Sequence, residues 1–240
     1  MSTEAASSPE FASPPDSQQP TWRPLDRIQR RVAGVLVEKA KTTPENYPLS
    51  LNAIRTACNQ KSNRSPQMDL DTDDVEATLD ELREMGAAVE IQGGSRVAKY
   101  KHCLYEWLGV DKVEMAVMAE LLLRGAQTIG ELRGRAARME PIADLTALRP
   151  LLDSLMQKKL VISLTPAGRG QIVTHNLYQP QELAKVKESV GAVDAARPAR
   201  PAVAAAVPPA ADELNELRRI VEALQQEVEQ LKDRLSVLES

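Results

Sequence analysis

The chain repeats itself at a fixed spacing. His102-Cys103-Leu104-Tyr105 returns as His175-Asn176-Leu177-Tyr178, 73 residues later, and Leu79-Asp80-Glu81-Leu82 returns at the same offset as Leu152-Asp153-Ser154-Leu155. Two matches at one spacing constrain the fold more than any composition does. Residues 22–105 and 106–188 should share one three-dimensional plan. The only two histidines of the chain occupy equivalent places in it.

Within each copy the apolar pattern reads helix, helix, helix, hairpin. Ile28, Val32, Val35 and Leu36 fall on one helical face. A second helix is predicted after Pro48, with Ser50 as N-cap and Leu51 and Ile54 inward. A third opens at Asp73 with Glu76 three residues on, carries Val75, Leu79 and Leu82, and ends at Gly86. Val89 and Ile91 then alternate, Gly93-Gly94 turns the chain, and Arg96 to Lys101 returns as a second strand. The second copy repeats this. Asp111 and Glu114 cap one helix and Thr128 and Glu131 the next. Leu148, Leu151, Leu152 and Leu155 stripe the third, where Pro150 is expected only near the start. Val161–Leu164 and Ile172–His175 form the hairpin, turned by Pro166 to Gly170. Three helices closed by a β-hairpin is the winged-helix plan, a relative of the helix-turn-helix. The expected fold class is therefore α+β, mainly α: two tandem winged-helix domains, each closing its own core.

The ends differ in character. Residues 1–21 are rich in Ser, Pro, Ala and Gln and read as a disordered lead. Residues 189–211 are an Ala/Pro-rich linker whose prolines favour an extended spacer. Over 212–240, Leu214, Val221, Val228 and Leu235 recur every seven residues, and Leu217, Leu224, Leu231 and Leu238 do so three positions later. Leu at every d position with Val at two a positions favours a two-stranded coiled coil, hence a homodimer. Glu213 with Arg218 and Glu227 with Lys232 suit a parallel pair, though charge alone leaves an antiparallel one open.

The segment from Glu38 contains T-T-P-E-N-Y-P-L-S-L-N and C-N-Q-K-S-N-R-S-P. It resembles the signature of the YceH family of uncharacterised bacterial proteins. The match is close over about thirty residues and looser from residue 25 to about 188. The resemblance implies a tandem winged-helix protein and carries no established activity. The heptads lie outside it.

Charge decides where a partner could sit. The net charge is −4, with −3 in residues 1–21, +1 in each repeat and −3 in 189–240, which argues against a strongly basic coat over the whole molecule. The run Asn59 to Arg64 holds Lys61, Asn63 and Arg64 at the corner between two helices, with Arg55 just before it. Such a corner either contacts phosphates or caps helix ends. The first hairpin adds Arg96, Lys99 and Lys101, and the second repeat offers Arg133, Arg135, Lys158 and Lys159. Arg23, Arg27, Arg30 and Arg31 could add backbone contacts. Against this, the third helix of the first repeat carries Asp73, Asp74, Glu76, Asp80, Glu81 and Glu84 against Arg83 alone, which a DNA groove would repel. Two functions follow as expectations: binding of duplex DNA or another nucleic acid, or a protein–protein adaptor.

Enzymatic chemistry is not expected, because no nucleophile–base set, metal-ligand spacing or phosphate loop appears; no cofactor or metal is implied. His102 and His175, repeated with the fold, read as structural. Two cysteines without a C-x-x-C, no leader pattern and no long apolar run point to a cytoplasmic protein with no membrane association.

Overall fold

The computed structural model describes residues 22–92, 97–168 and 170–196. The lead, most of the linker, the heptads, the Gly93-Gly94 turn and Arg96 lie outside the described residues.

Helix α1 (Arg27–Thr42) starts at Asp26, whose carboxylate accepts from the Ile28 and Gln29 N–H groups while Gln29 reaches back to the cap. A single 3-10 turn (Pro44–Asn46) leads to the short strand β1 (Leu49–Ser50), which the sequence reading missed. Helix α2 (Leu51–Cys58) is capped by Ser50 as expected. Helix α3 (Thr72–Glu84) begins earlier than expected. Asp71, not Asp73, is its cap, in a reciprocal pair with Asp74, and Gly86 follows it with φ 74°. Strands β2 (Ala88–Ile91) and β3 (Lys99–His102) form the hairpin, so the return strand starts three residues after Arg96. A short helix α4 (Leu104–Leu108) closes the first half at Gly109.

The second half runs α5 (Lys112–Arg124), β4 (Gln127–Thr128), α6 (Ile129–Ala136), α7 (Leu145–Gln157), β5 (Val161–Ser163) and β6 (Ile172–His175). Its caps at Asp111 and Thr128 are those expected. Pro150 is the sixth residue of α7, deeper than expected. The ladder bond it forgoes would go to the carbonyl of Thr146, an exposed residue that water can serve. Helix α8 (Pro180–Ala196) was not anticipated. It runs past residue 188 and into the Ala-rich stretch, opening with Pro at its first position.

Both halves thus follow α–β–α–α–β–β, and both sheets are antiparallel with the return strand central: β1-β3-β2 and β4-β6-β5. The register repeats too, with Ala88 opposite His102 and Val161 opposite His175. The offset is 78 residues at α2 and α6 but 73 from α3 and α7 onward. The difference is one loop: residues 59–71 in the first half are five residues longer than 137–144 in the second. The longer loop contains the N-Q-K-S-N-R-S-P run.

The halves do not close separate cores. Helix α5 is buried on every face from Met115 to Leu123, as expected of a stretch apolar on nearly every side, with Glu120 the one charge in it. It packs along α1, whose Val32, Val35, Leu36 and Val37 are fully buried, and the apolar residues of both halves form one cluster. Fully burying a side chain of this size contributes about 1.5–3 kcal/mol. The α1–α5 contact is therefore the main weld of the molecule.

Candidate nucleic-acid interface

The loop 59–71 is held at its neck by one side chain. The Asn59 amide donates to the Leu70 carbonyl (2.8 Å) and accepts from the Leu70 N–H (2.9 Å). From there the loop turns inward. Arg64 is buried: its guanidinium meets Glu38 of α1 at 2.6 and 3.2 Å, and its Nε donates to the Ala57 carbonyl at 3.0 Å. Asn63 takes a left-handed backbone (φ 59°), and its side-chain oxygen accepts from Arg124 of α5. The Ser65 N–H donates to the Leu123 carbonyl at 3.0 Å. Deeper still, Glu120 of α5 is fully buried between Arg124 (3.1 Å) and Arg138 (3.3 Å). Burial raises its pKa, while both arginines pull against that shift. Arg138 also reaches Glu38 at 3.6 Å. The basic corner is in large part a bolt between the halves.

The candidate cations are therefore not equivalent. Arg64 has no face for a phosphate, because a buried bidentate ion pair satisfies its donors. Asn63 is occupied. Arg133 donates to the Ala143 carbonyl, Arg135 to Gln127 and Glu131, and Lys158 to Glu114 at 2.6 Å. Burial alone would raise the Glu114 pKa, but hydrogen bonds from Lys158, Ser154 and the Asp111 N–H lower it. Arg55 is half-buried and donates to Asn52. Arg30 and Arg31 of α1 are also buried.

Lys61, Lys99, Lys101 and Lys159 remain exposed. Lys99 and Lys101 alternate along β3 and so face one side of the sheet. Two adjoining shallow grooves join some of these with groups the sequence reading passed over. One is lined by Lys39, Gln60, Lys61 and Arg138, the other by Lys39, Ser50, Thr56, Gln60 and Lys99. Lys39 and Gln60 belong to both. A stripe of donors thus runs from Lys61 through Lys39 to Lys99, bordered by Arg138, which Glu120 and Glu38 already hold. Glu38 lies beneath it, paired with Arg64. Lys39 had a weak signal in the sequence, as a cation in the last turn of α1, where the helix dipole favours one. On α3, by contrast, Asp73, Asp74, Glu76, Asp80, Glu81 and Glu84 are all exposed.

The two histidines play one part twice. In each, Nδ1 accepts from the backbone N–H two residues on, Leu104 (3.4 Å) or Leu177 (3.2 Å). His175 is stacked on Tyr178 with ring centres 3.9 Å apart, and His102 lies 5.4 Å from Tyr105. Burial, followed by the Lys41 charge, lowers the His102 pKa to about 4; burial and the Arg30 charge hold that of His175 well below the ordinary histidine value. Cys58 is buried, which pushes its thiol to about 12. No three His, Cys, Asp or Glu side chains among the described residues are disposed to hold a metal ion. Among them, no helix is long and apolar enough to cross a membrane.

Residues 25–169 match the model of a family described as a protein of unknown function, DUF480. The chain belongs to the DUF480 family. The match spans α1 and the inward-turned loop and stops short of β6, α8 and the heptads. Curated relatives carry the name UPF0502 protein. One from Rhodopirellula baltica is 56% identical over 186 residues, 78% of each chain. One from Geobacter metallireducens is 47% identical over 177 residues, 72% of this chain and 80% of that one. One from Pelobacter propionicus is 55% identical over 134 residues, where the alignment spans 61% of the relative's length. This DUF480 chain therefore shares most of its described sequence with bacterial relatives whose names assign no activity.

Proposed function

We propose that each half of this DUF480 protein is a winged helix, and that the chain is a non-enzymatic protein binding the phosphate backbone of duplex DNA. The observation that carries this reading is the stripe Lys61–Lys39–Lys99, whose two grooves are also lined by the hydrogen-bonding side chains of Gln60, Thr56 and Ser50. Lys, Arg and short polar side chains are the groups that position proteins on phosphates. The acidic α3 keeps the third helix of the first half out of a groove, so binding is expected to track the backbone with little sequence preference. Two copies joined by the heptads of 212–240 would present two stripes and gain avidity. Two free cysteines suit a reducing cytoplasm.

A second reading rests on α3 itself. Its exposed carboxylates suit a basic protein partner, and the chain would then be an adaptor. Fluorescence anisotropy with a labelled duplex at about 50 mM salt separates the two. Backbone binding through three cations predicts a slope of log K against log salt of about −3. The Lys39→Gln/Lys61→Gln variant should flatten that slope by about two, and charge reversal at Asp80, Glu81 and Glu84 should not weaken binding. Absence of binding at that salt overturns the reading and leaves the adaptor.

A further inference from the structure

A second cationic groove lies apart from the stripe and shares no lining residue with it. It is walled by α1, residues 65–68, the end of α5 and α8. Its charges do not balance. Glu182, the one carboxylate lining it among the described residues, is held by Arg30 at 2.8 and 3.1 Å. Arg124 is taken by Glu120 and Asn63. Arg31 is different. It is 1% exposed, yet among the described residues its Nη atoms reach only neutral acceptors, the carbonyls of Cys58 (2.9 Å) and Pro66 (2.6 Å), and its buried Nε has no hydrogen-bond partner. A buried guanidinium without a carboxylate is expensive. Burial and the neighbouring Arg64 and Arg27 charges lower its pKa to about 10. Arg27 and Lys185, both exposed, bring two more positive charges to the same groove. Between them the walls are apolar, from Met68 and Leu122 to Val186 and Val190.

We infer that this groove binds a small organic oxyanion, with a carboxylate or phosphate head held by Arg27 and Lys185 above the buried Arg31 and a compact apolar body against α8. The anion supplies the counter-charge that Arg31 lacks. Its head needs both exposed cations, because Arg31 itself presents almost no surface.

The test is thermal unfolding of the full chain in inorganic phosphate or in sodium hexanoate, each against chloride at equal ionic strength. A saturable rise in Tm is expected with at least one probe. Phosphate alone would mark the head as sufficient; hexanoate alone would mark a carboxylate with an apolar tail. In Arg27→Gln/Lys185→Gln the midpoint should rise at least about tenfold, the loss of one charge-assisted hydrogen bond. Should that variant lose stability in chloride, Arg27→Lys, which keeps the charge, must retain saturation. No saturable rise with either probe overturns the inference, as does an unchanged midpoint in the double variant. DNA anisotropy of the double variant should stay near wild type, so failure here leaves the stripe untouched.

Discussion

A β-carbon on Gly34 would lie 2.9 Å from Leu123 Cγ and 3.0 Å from its Cδ2. The glycine is therefore what lets α1 and α5 approach at the centre of the weld, and it sits mid-helix despite its poor propensity there. Gly34→Ala should gain up to about 1 kcal/mol of helix propensity and lose more to overpacking, about 1–3 kcal/mol, because Leu123 is fully buried and has nowhere to go. The expected net is destabilisation, larger for Gly34→Val. Denaturant unfolding reads it as a lower midpoint at unchanged slope; a stabilised Gly34→Ala would contradict the close packing.

The Arg64–Glu38 pair makes a separate claim. Removing one partner strands the other in a buried site, at a cost of about 3–5 kcal/mol. Arg64→Met should fall in that range, and Arg64→Lys should rescue little, because lysine has neither the fork nor the Nε that reaches Ala57. Replacing both, Arg64→Met with Glu38→Met, should recover much of the loss. A double-mutant cycle with no coupling would show that the loop is not bolted by this pair.

The histidines predict acid sensitivity. Both folded-state pKa values lie below the ordinary histidine value, so the unfolded chain binds more protons as pH drops. Their contribution is intact above about pH 6.5 and is lost as pH falls toward about 4, the His102 value. Tm should decline across that window. Glu120, raised by burial, opposes the trend at its lower end. In His102→Gln/His175→Gln the slope of Tm against pH should flatten whatever the absolute Tm; an unchanged slope would assign the acid sensitivity elsewhere.

Helix α8 is tied to the body by Arg30, which pairs with Glu182, stacks 4.7 Å from the Tyr178 ring centre and donates to the Leu25 carbonyl. Glu182 is partly exposed, so the pair contributes about 1 kcal/mol or less. Glu182→Gln should barely move the global midpoint. It should speed amide exchange across residues 180–196 by up to about fivefold, with little change in α1. Uniform acceleration through the body would mean that α8 does not open on its own.

Much of the secondary structure was legible. The 73-residue repeat located both hairpins, and the Ser50, Asp111 and Thr128 caps were read in place, because a cap bonds within three residues of itself. The Asp71 cap was missed since three acidic residues within four positions, Asp71, Asp73 and Asp74, offer competing boxes. The two-residue strands β1 and β4 are too short for alternation to register and exist only because β3 and β6 supply partners.

The sequence by itself determined what depends on neighbours along the chain: the repeat, the helical faces and most of the caps. Tertiary structure alone decided which cations are free. Arg64 finds Glu38 26 residues away, Asn63 meets Arg124 across 61 and Arg30 meets Glu182 across 152. A cation spells the same in sequence whether water or a buried carboxylate faces it. The joining of two repeats into one core had the same origin: α5 is apolar on nearly every side, Glu120 excepted, and what covers the extra faces can be known only once α1 lies against it.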